Sequence, residues 1–527
     1  MCIKMEGRAP FFSHISRKHQ TIMAHTWEML DSQLASSLLY LFLFALFLFI
    51  WFHPKLSSKK LQAPSPPRLP IIGNLHQLGS YPHRALAALA QRHGPLMMLR
   101  LGSAPTFVVS SGKVVEEMVK KHDIAFSNRH DSTIYRRLMY DCKDLLLAPY
   151  GEYWRQMRGV CFSQLLSPKM VQSLQYLREQ ETNLLMDKIK GFNTTPFDLS
   201  HLFEYLTKDI VYIATLGKRF SEGQSTEDKL TRLFVEFNAL LGLFNVGDYI
   251  PWLSWINHFN GLNERIENNH REINELLEEV INDQLARRTS NNEAKEKVLL
   301  DALLDAQNGD SVTRESAKAV ILDVFAGGID TVFVVLEWAM TELIRNPEIL
   351  KRTQQQIREI VGGQNQITKH DISKMTYLKA VIKESMRMHP PFPLIPRVSN
   401  QEVELHGYTI PNKTRLLINI YAVGRDPECW EEPDTFKPER FMNDGSLIEY
   451  NSNDYSWMAF GAGRRGCPGG LFGMTLIEFV IASLLQNFDW SLPDGKTEKD
   501  VDMDEFVALA LHKLQPLIAV ATPNPDI

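Results

Sequence analysis

The sequence predicts a mainly α protein with small β-sheets, an α+β body preceded by a single N-terminal transmembrane helix. Three observations carry that prediction. Apolar residues recur through 174–189, 262–288, 314–345, 349–361 and 378–388 at the i, i+3, i+4 spacing of amphipathic helices. Strand-like runs are short and few, at 96–101, 106–110, 408–410 and 415–419, and they do not alternate with helices as a βαβ chain would require. One stretch, 34–52, runs for nineteen residues without a charge, enough at ~1.5 Å per residue to cross a bilayer core of ~30 Å.

Taken from the N-terminus, residues 1–33 form a leader. Residues 1–22 carry Lys4, Arg8, Arg17 and Lys18 and read as an upstream extension of the gene model, with Met23 as the start. The run 34–52 exceeds the ~7–15-residue core of a cleaved signal peptide and lacks small residues at its end, so it reads as a retained anchor. Glu28 and Asp31 precede it, and Lys55, Lys59, Lys60 and Arg68 follow it, which places the body on the cytosolic side. The sequons at Asn193 and Asn412 are therefore expected to stay unmodified. Residues 53–70 are a basic, Pro-rich hinge. Pro64, Pro66, Pro67 and Pro70 fix φ and exclude helix, giving a stiff extended spacer; an ordinary Pro-rich linker is the alternative. Residues 71–527 form the body, with no further linker. It opens with a hairpin around Gly102-Ser103-Ala104-Pro105 and ends after a helix at 470–488.

A net charge of −5 over 527 residues, with no clustered basic excess, argues against a nucleic-acid partner. The cysteines, Cys2, Cys142, Cys161, Cys429 and Cys467, are odd in number and scattered. Such a set reads as reduced and cytosolic, not as a disulfide framework. No Cys-x-x-Cys or His-x-x-x-His pair suggests zinc.

Four constellations carry chemistry. In Phe460-Gly461-Ala462-Gly463-Arg464-Arg465-Gly466-Cys467-Pro468-Gly469 one thiol is framed by glycines and arginines. Glycines let the backbone wrap a sulfur and offer it N–H groups, and arginines favour its anion. The same glycines spell Gly-x-Gly-x-x-Gly, but no buried parallel strand precedes them, as a dinucleotide site would need; a plain Gly-rich turn before a helix is the other alternative. In the predicted helix 314–345, with Thr313 as its cap, Gly327 and Gly328 sit beside Asp330 and Thr331. Two mid-helix glycines cost about 1 kcal/mol each relative to alanine. They imply either a helix pressed against a flat ligand or close helix–helix packing, with Thr331 bonded back to a carbonyl. Glu384 and Arg387 share a helix face, with Arg440 in Pro-Glu-Arg-Phe; they form a buried clamp or an exposed surface pair. Trp154 and Arg158, one helical turn apart, either meet anionic groups or pack in the core.

Together these residues resemble the cytochrome P-450 family. Phe460, Gly463, Arg465, Cys467 and Gly469 match its heme-ligand loop, Gly327, Gly328, Asp330 and Thr331 its oxygen-binding helix, and Trp154 with Arg158, Glu384 with Arg387, and Arg440 its remaining motifs, all in the family's order. The wording Pro66-Pro67-Arg68-Leu69-Pro70-Ile71-Ile72-Gly73-Asn74-Leu75 looks most like the plant A-type microsomal branch, the seventy-one clan. The resemblance implies the cytochrome P-450 fold and a heme-thiolate monooxygenase. Heme b would be held through Cys467 as the iron's axial ligand, with Phe460 beside it and Arg465, Trp154, Arg158 and Arg397 on the propionates. Asp330 and Thr331 would relay protons, and Glu384, Arg387 and Arg440 would lock the heme loop. The substrate pocket would include Ala326, Gly327, Leu394 and Val507, with Asn238 and Asn245 as polar contacts. The chain departs from the pattern at Val332, where the family usually has a hydroxyl.

The implied reaction inserts one oxygen atom from O2 into a hydrophobic small molecule, a plant specialised metabolite such as a terpenoid or phenolic. Electrons from NADPH arrive through NADPH-cytochrome P-450 reductase. The implied setting is the endoplasmic reticulum membrane, single-pass, with the anchor in lipid. A reductase-independent isomerase or dehydratase, and a non-catalytic heme-binding protein, are the alternatives.

Overall fold

The structure, a computed structural model, describes residues 36–46, 63–219, 224–290, 297–308, 312–364, 366–448 and 454–525. The leader, residues 53–62 of the hinge and the two ends of the anchor lie outside the described residues. Within the expected anchor, Ser36–Leu46 is an apolar helix. From Ala63 the Pro-rich stretch belongs to the body. The Met98 N–H donates to the Pro64 carbonyl at 2.8 Å, and Asn74 Nδ2 reaches the carbonyls of Pro66 at 3.4 Å and Pro67 at 3.2 Å. Prolines leave these carbonyls free of intrachain helix bonds, so neighbours can claim them.

The body is helical with small sheets. The expected helices form at Gln175–Gly191, Leu262–Ser290, Pro347–Val361 and Thr376–Met388. The helix Leu199–Leu216 falls outside the expected set and is buried along most of its length. Gly470–Asn487 follows the cysteine loop directly. It and Arg314–Arg345 are long and apolar enough to cross a membrane, but 61% and 56% of their apolar windows are buried inside the protein.

The main sheet has four strands in the order Leu96–Leu101, Ala104–Val109, Arg415–Asn419, Leu394–Val398. The outer pairs are antiparallel and the middle pair parallel. The first hairpin turns on two residues, not the four expected. Gly102 takes φ +60°, Ala104 already opposes Leu101, and Pro105 opposes Arg100. Pro105 is tolerated inside the strand because the parallel pairing starts only at Thr106, so no ladder bond needs its missing N–H. A second small hairpin, Glu505–Val507 with Leu511–Lys513, lies near the C-terminus. The core is dominated by one helical cluster that includes Phe203, Phe325, Leu336 and Leu476, with a second cluster around the sheet at Phe107, Leu416 and Ile418.

The predicted helix 314–345 is observed with one interruption. Arg314–Phe325 and Thr331–Arg345 are α-helical, and Ala326–Asp330 is a π-helical turn. Thr313 caps the start by accepting from the Ser316 N–H at 3.1 Å. The wide turn falls on the segment where two glycines weaken the α-helix, and single π-turns concentrate at functional sites.

Candidate active site

The cysteine loop is built from backbone. The Cys467 N–H donates to the Phe460 carbonyl at 2.8 Å, and the Gly466 N–H to the Gly463 carbonyl at 2.9 Å. Gly463 has φ +68°, and a side chain there would strike Asp123 Oδ1 at 2.3 Å, so only glycine fits. The Arg464 N–H donates to the same carboxylate. A side chain at Gly470, where the next helix starts, would meet the Phe460 ring at 3.3 Å. Cys467 itself is exposed. The protein packed around its sulfur pushes the thiol above its ordinary value, and the charge of Asp323 adds to this. The N–H groups of Gly469 and Gly470 and the charge of Arg158 pull the other way. Both N–H groups belong to the start of the Gly470–Asn487 helix, which favours an anion there.

The arginines beside the cysteine act differently from the expectation that they favour the thiolate. Arg464 faces outward, with Nε 3.3 Å from Asp123 Oδ2. Arg465 is buried and turned to carbonyls: its Nε donates to Ser127 at 2.7 Å, Nη1 to Leu145 at 3.1 Å, and Nη2 to Ala148. The cation that acts on the sulfur is Arg158, whose Nη1 also donates to the Gly466 carbonyl at 3.3 Å. Trp154 is buried, its Nε1–H donating to the Leu145 carbonyl at 2.9 Å. The guanidiniums of Arg465 and Arg158 lie 4.4 and 5.3 Å from its ring.

Arg397 is 4% exposed and its Nη1 has no partner. Burial and the charges of Arg129 and Arg465 hold its guanidinium well below the usual arginine range. Burial, then Arg129 and Arg158, lower Arg465 to about 9. Burial also lowers Arg129, to about 10. These cations face a loop fixed by two acids, Asp144 buried and Asp323 half-buried. Asp144 Oδ1 accepts from the N–H groups of Leu147 at 2.8 Å and Ala148 at 3.1 Å. Asp323 Oδ2 accepts from Leu145 at 2.9 Å and Leu146 at 3.0 Å. Burial lifts Asp323 to about 6 and, with the charge of Asp323, lifts Asp144 well above the carboxylate range. Sequence reasoning missed Arg129, Asp144 and Asp323, which no periodic pattern marks. The cluster is short of negative charge and has an orphaned buried donor, which suits a ligand bearing carboxylates. An exposed thiol backed by two N–H groups suits a soft metal ion.

The long helix settles the roles of its glycines one by one. A side chain at Gly328 would touch Val211 of the helix Leu199–Leu216 at 3.2 Å, so this glycine serves packing. Gly327 is exposed, with nothing within 4 Å of a built Cβ, so it opens onto free space. Thr331 Oγ1 donates to the Gly327 carbonyl at 2.6 Å. Asp330 Oδ1 lies 3.1 Å from His512 Nε2, and its Oδ2 is buried without a partner. Val332 is 4% exposed, and a side chain at Gly473 would meet its Cγ2 at 3.6 Å, so a hydroxyl at this position would face helix packing.

The clamp forms. Arg387 Nε and Nη2 donate to the two oxygens of Glu384 at 2.7 and 2.9 Å, and Arg440 Nε to Oε1 at 3.1 Å. The Lys437 N–H adds a fourth bond at 2.8 Å. Glu384 and Arg387 are fully buried, so the exposed-pair reading fails. Of the expected pocket residues, Ala326 is buried beside Gly327, Leu394 opens its strand half-buried, and Val507 is exposed on the C-terminal hairpin. Asn238 Oδ1 is buried without a partner. Asn245 Oδ1 instead accepts from the Gly247 N–H at 3.1 Å and Asn257 Nδ2 at 3.0 Å.

Known proteins resemble this chain over most of its length. The family profile described as cytochrome P-450 matches residues 63–519. A protein of Prunus mume named cytochrome P-450 736A117 is 44% identical over 499 residues, covering 93% of this chain and 96% of that one. The norfluorocurarine oxidase of a Strychnos species is 40% identical, covering 94% of this chain and all of that one. Among solved structures, a zebrafish cytochrome P-450 described with abiraterone aligns with TM-score 0.72 at 23% identity, over 85% of this chain and all of that one; at that identity the likeness is one of fold.

Proposed function

The chain belongs to the cytochrome P-450 family, and from that premise we propose that it is a heme-thiolate monooxygenase of plant specialised metabolism that oxidises a hydrophobic small molecule, such as a terpenoid or phenolic, with O2 and NADPH-derived electrons. The observation that carries this reading is the pairing of an exposed Cys467, backed by the Gly469 and Gly470 N–H groups, with a buried guanidinium cluster whose Arg397 Nη1 lacks a partner.

Heme, when bound, supplies one-electron and dioxygen chemistry that no amino-acid side chain can provide. The chain supplies the rest. Cys467 would hold the iron as thiolate, its negative charge favoured by the two N–H groups and Arg158. Arg397, Arg465 and Arg158 neutralise the heme carboxylates, with Trp154 fixing two of those guanidiniums by its ring. Gly327 keeps the long helix free of side chains where small molecules must approach. The Thr331 hydroxyl, committed as donor to Gly327, can accept a hydrogen bond. Asp330, with one oxygen held and one unpartnered, is suited to carrying a proton. Glu384, Arg387 and Arg440 hold the frame behind the loop.

Residues 34–52 would anchor the chain in the endoplasmic reticulum membrane, with the body on the cytosolic side beside its reductase. Cys467→Ser is expected to abolish the reduced carbon-monoxide band characteristic of thiolate ligation and all NADPH-dependent oxidation; a variant that keeps that band refutes the assignment. Screening plant metabolites for the low- to high-spin shift of the heme band identifies the substrate class, and microsomes with reductase and NADPH test turnover against the isomerase and heme-carrier readings.

A further inference from the structure

The contact between Asp330 and His512 joins the middle of the long helix to a hairpin near the C-terminus. Three successive hairpin residues are tied to that helix. The Leu511 carbonyl accepts from Trp338 Nε1 at 3.0 Å, His512 Nε2 meets Asp330 Oδ1 at 3.1 Å, and the Lys513 N–H reaches Glu337 Oε2 at 3.4 Å. The strand that carries the imidazole is therefore held against the long helix on both sides of it. The Phe333 ring, 5.5 Å off, lies beside it.

The charged groups facing His512 come from two elements. Asp330 and Glu337 lie on the long helix, and Glu204 on Leu199–Leu216. Glu204 is engaged by Lys208 at 2.6 Å, and Glu337 by the Ser200 hydroxyl. Burial lowers the affinity of the imidazole for its second proton. The hydrogen bond and charge of Asp330, with those two further carboxylates, outweigh it and raise His512 above its ordinary value. The side chain keeps 17% exposure, so water reaches its edge. Asp330 shows the complementary asymmetry, with Oδ1 on the imidazole and Oδ2 buried and unpartnered.

We propose that His512 is a positioning residue that supplies protons to Asp330. This rests on the relay role given to Asp330 above. In the step, the Nε2–H bond of the imidazolium breaks and an O–H bond forms on the Asp330 carboxylate. No electrons change hands, and Nε2 is reprotonated by hydronium from the solvent that reaches the exposed edge of the ring, leaving water. A half-turn of the carboxyl about Cβ–Cγ, a soft two-fold torsion, exchanges its oxygens and presents the proton on the unpartnered side. A histidine here delivers protons at neutral pH, where a lysine would hold them too tightly.

The test uses the heme-loaded full chain with His512→Gln, which keeps a donor but no titrating proton, His512→Phe, and Asp330→Asn. In detergent micelles, carbon-13-labelled histidine signals assign His512 by its loss in His512→Gln. Its midpoint in the parent chain should fall by about half a pH unit or more in Asp330→Asn. In microsomes with added reductase, the parent's NADPH oxidation should decline as pH rises through that midpoint. His512→Gln should run about tenfold slower with a flat pH profile, while keeping the reduced carbon-monoxide band. His512→Phe serves as the no-donor control and should be slower still. An unmoved midpoint in Asp330→Asn, or a His512→Gln profile that matches the parent, overturns the relay and leaves the monooxygenase reading intact. A parent chain that shows the band but consumes no NADPH overturns both.

Discussion

Two buried arginine clusters in this body differ in one respect, and the difference separates structure from site. Behind the loop, Arg387 and Arg440 share the carboxylate of Glu384, so charge meets charge. At the loop, Arg129, Arg465 and Arg397 face carbonyls instead. Arg465 has Ser127, Leu145 and Ala148, Arg129 has Leu146 and Pro396, and one nitrogen of Arg397 has nothing. The nearby acids, Asp144 and Asp323, are themselves pushed toward the neutral form. A cluster that carries its own ionised carboxylate is largely complete within the chain. An under-neutralised one is costly in a low-dielectric interior and is tolerated where a ligand supplies the missing charge.

Substitutions test that contrast by the sign of their effects. Arg387→Ala leaves Glu384 buried against a single remaining guanidinium, and breaking such a pair costs about 3–5 kcal/mol. Expression of folded chain and heme per chain, read together, should both collapse; normal heme content would remove the clamp from the argument. Arg397→Gln should do the opposite to the heme-free chain. It removes an uncompensated charge, so the thermal midpoint of chain prepared without heme should hold or rise, while heme is lost several-fold faster to a competing apo-protein. A lower midpoint in the heme-free chain would show that Arg397 is structural.

The smallest effect concerns the acids between these regions. Burial raises the folded-state value of Asp323 to about 6, above its value in the unfolded chain. Folding therefore takes up a proton. The contribution is fully present below the unfolded value and is lost as pH rises through about 6. Denaturant midpoints measured between pH 5 and 7 should fall with rising pH, and Asp323→Asn, which keeps an acceptor for Leu145 and Leu146, should flatten that slope. An unchanged slope would mean that the pair is not the titrating element.

Much of the site could be read in one dimension because its chemistry is local. Gly463, Gly466, Cys467 and Gly470 lie within eight residues, and the loop is closed locally by backbone bonds, with Asp123 and Arg158 adding contacts from outside it. The glycines and acid of the long helix likewise stood out by breaking helix rules within one turn. Asp144, Asp323 and Arg129 did not stand out, because a lone acid or arginine in a loop looks the same whether buried or solvated. His512 was missed for the same reason. Its partner lies in a different element, and only the pairing of Leu511–Lys513 with the hairpin and the long helix aims it.

The sequence by itself determined the family and the helix-rich class with small sheets, because both rest on spacing along the chain. The tertiary structure decided which way side chains turn. It sent Arg464 outward and Arg465 inward, gave Gly328 to packing and Gly327 to open space, buried Val332 against Gly473, and set His512 on Asp330. Those outcomes depend on contacts between distant segments, whose closure is set by core packing and not by any local pattern.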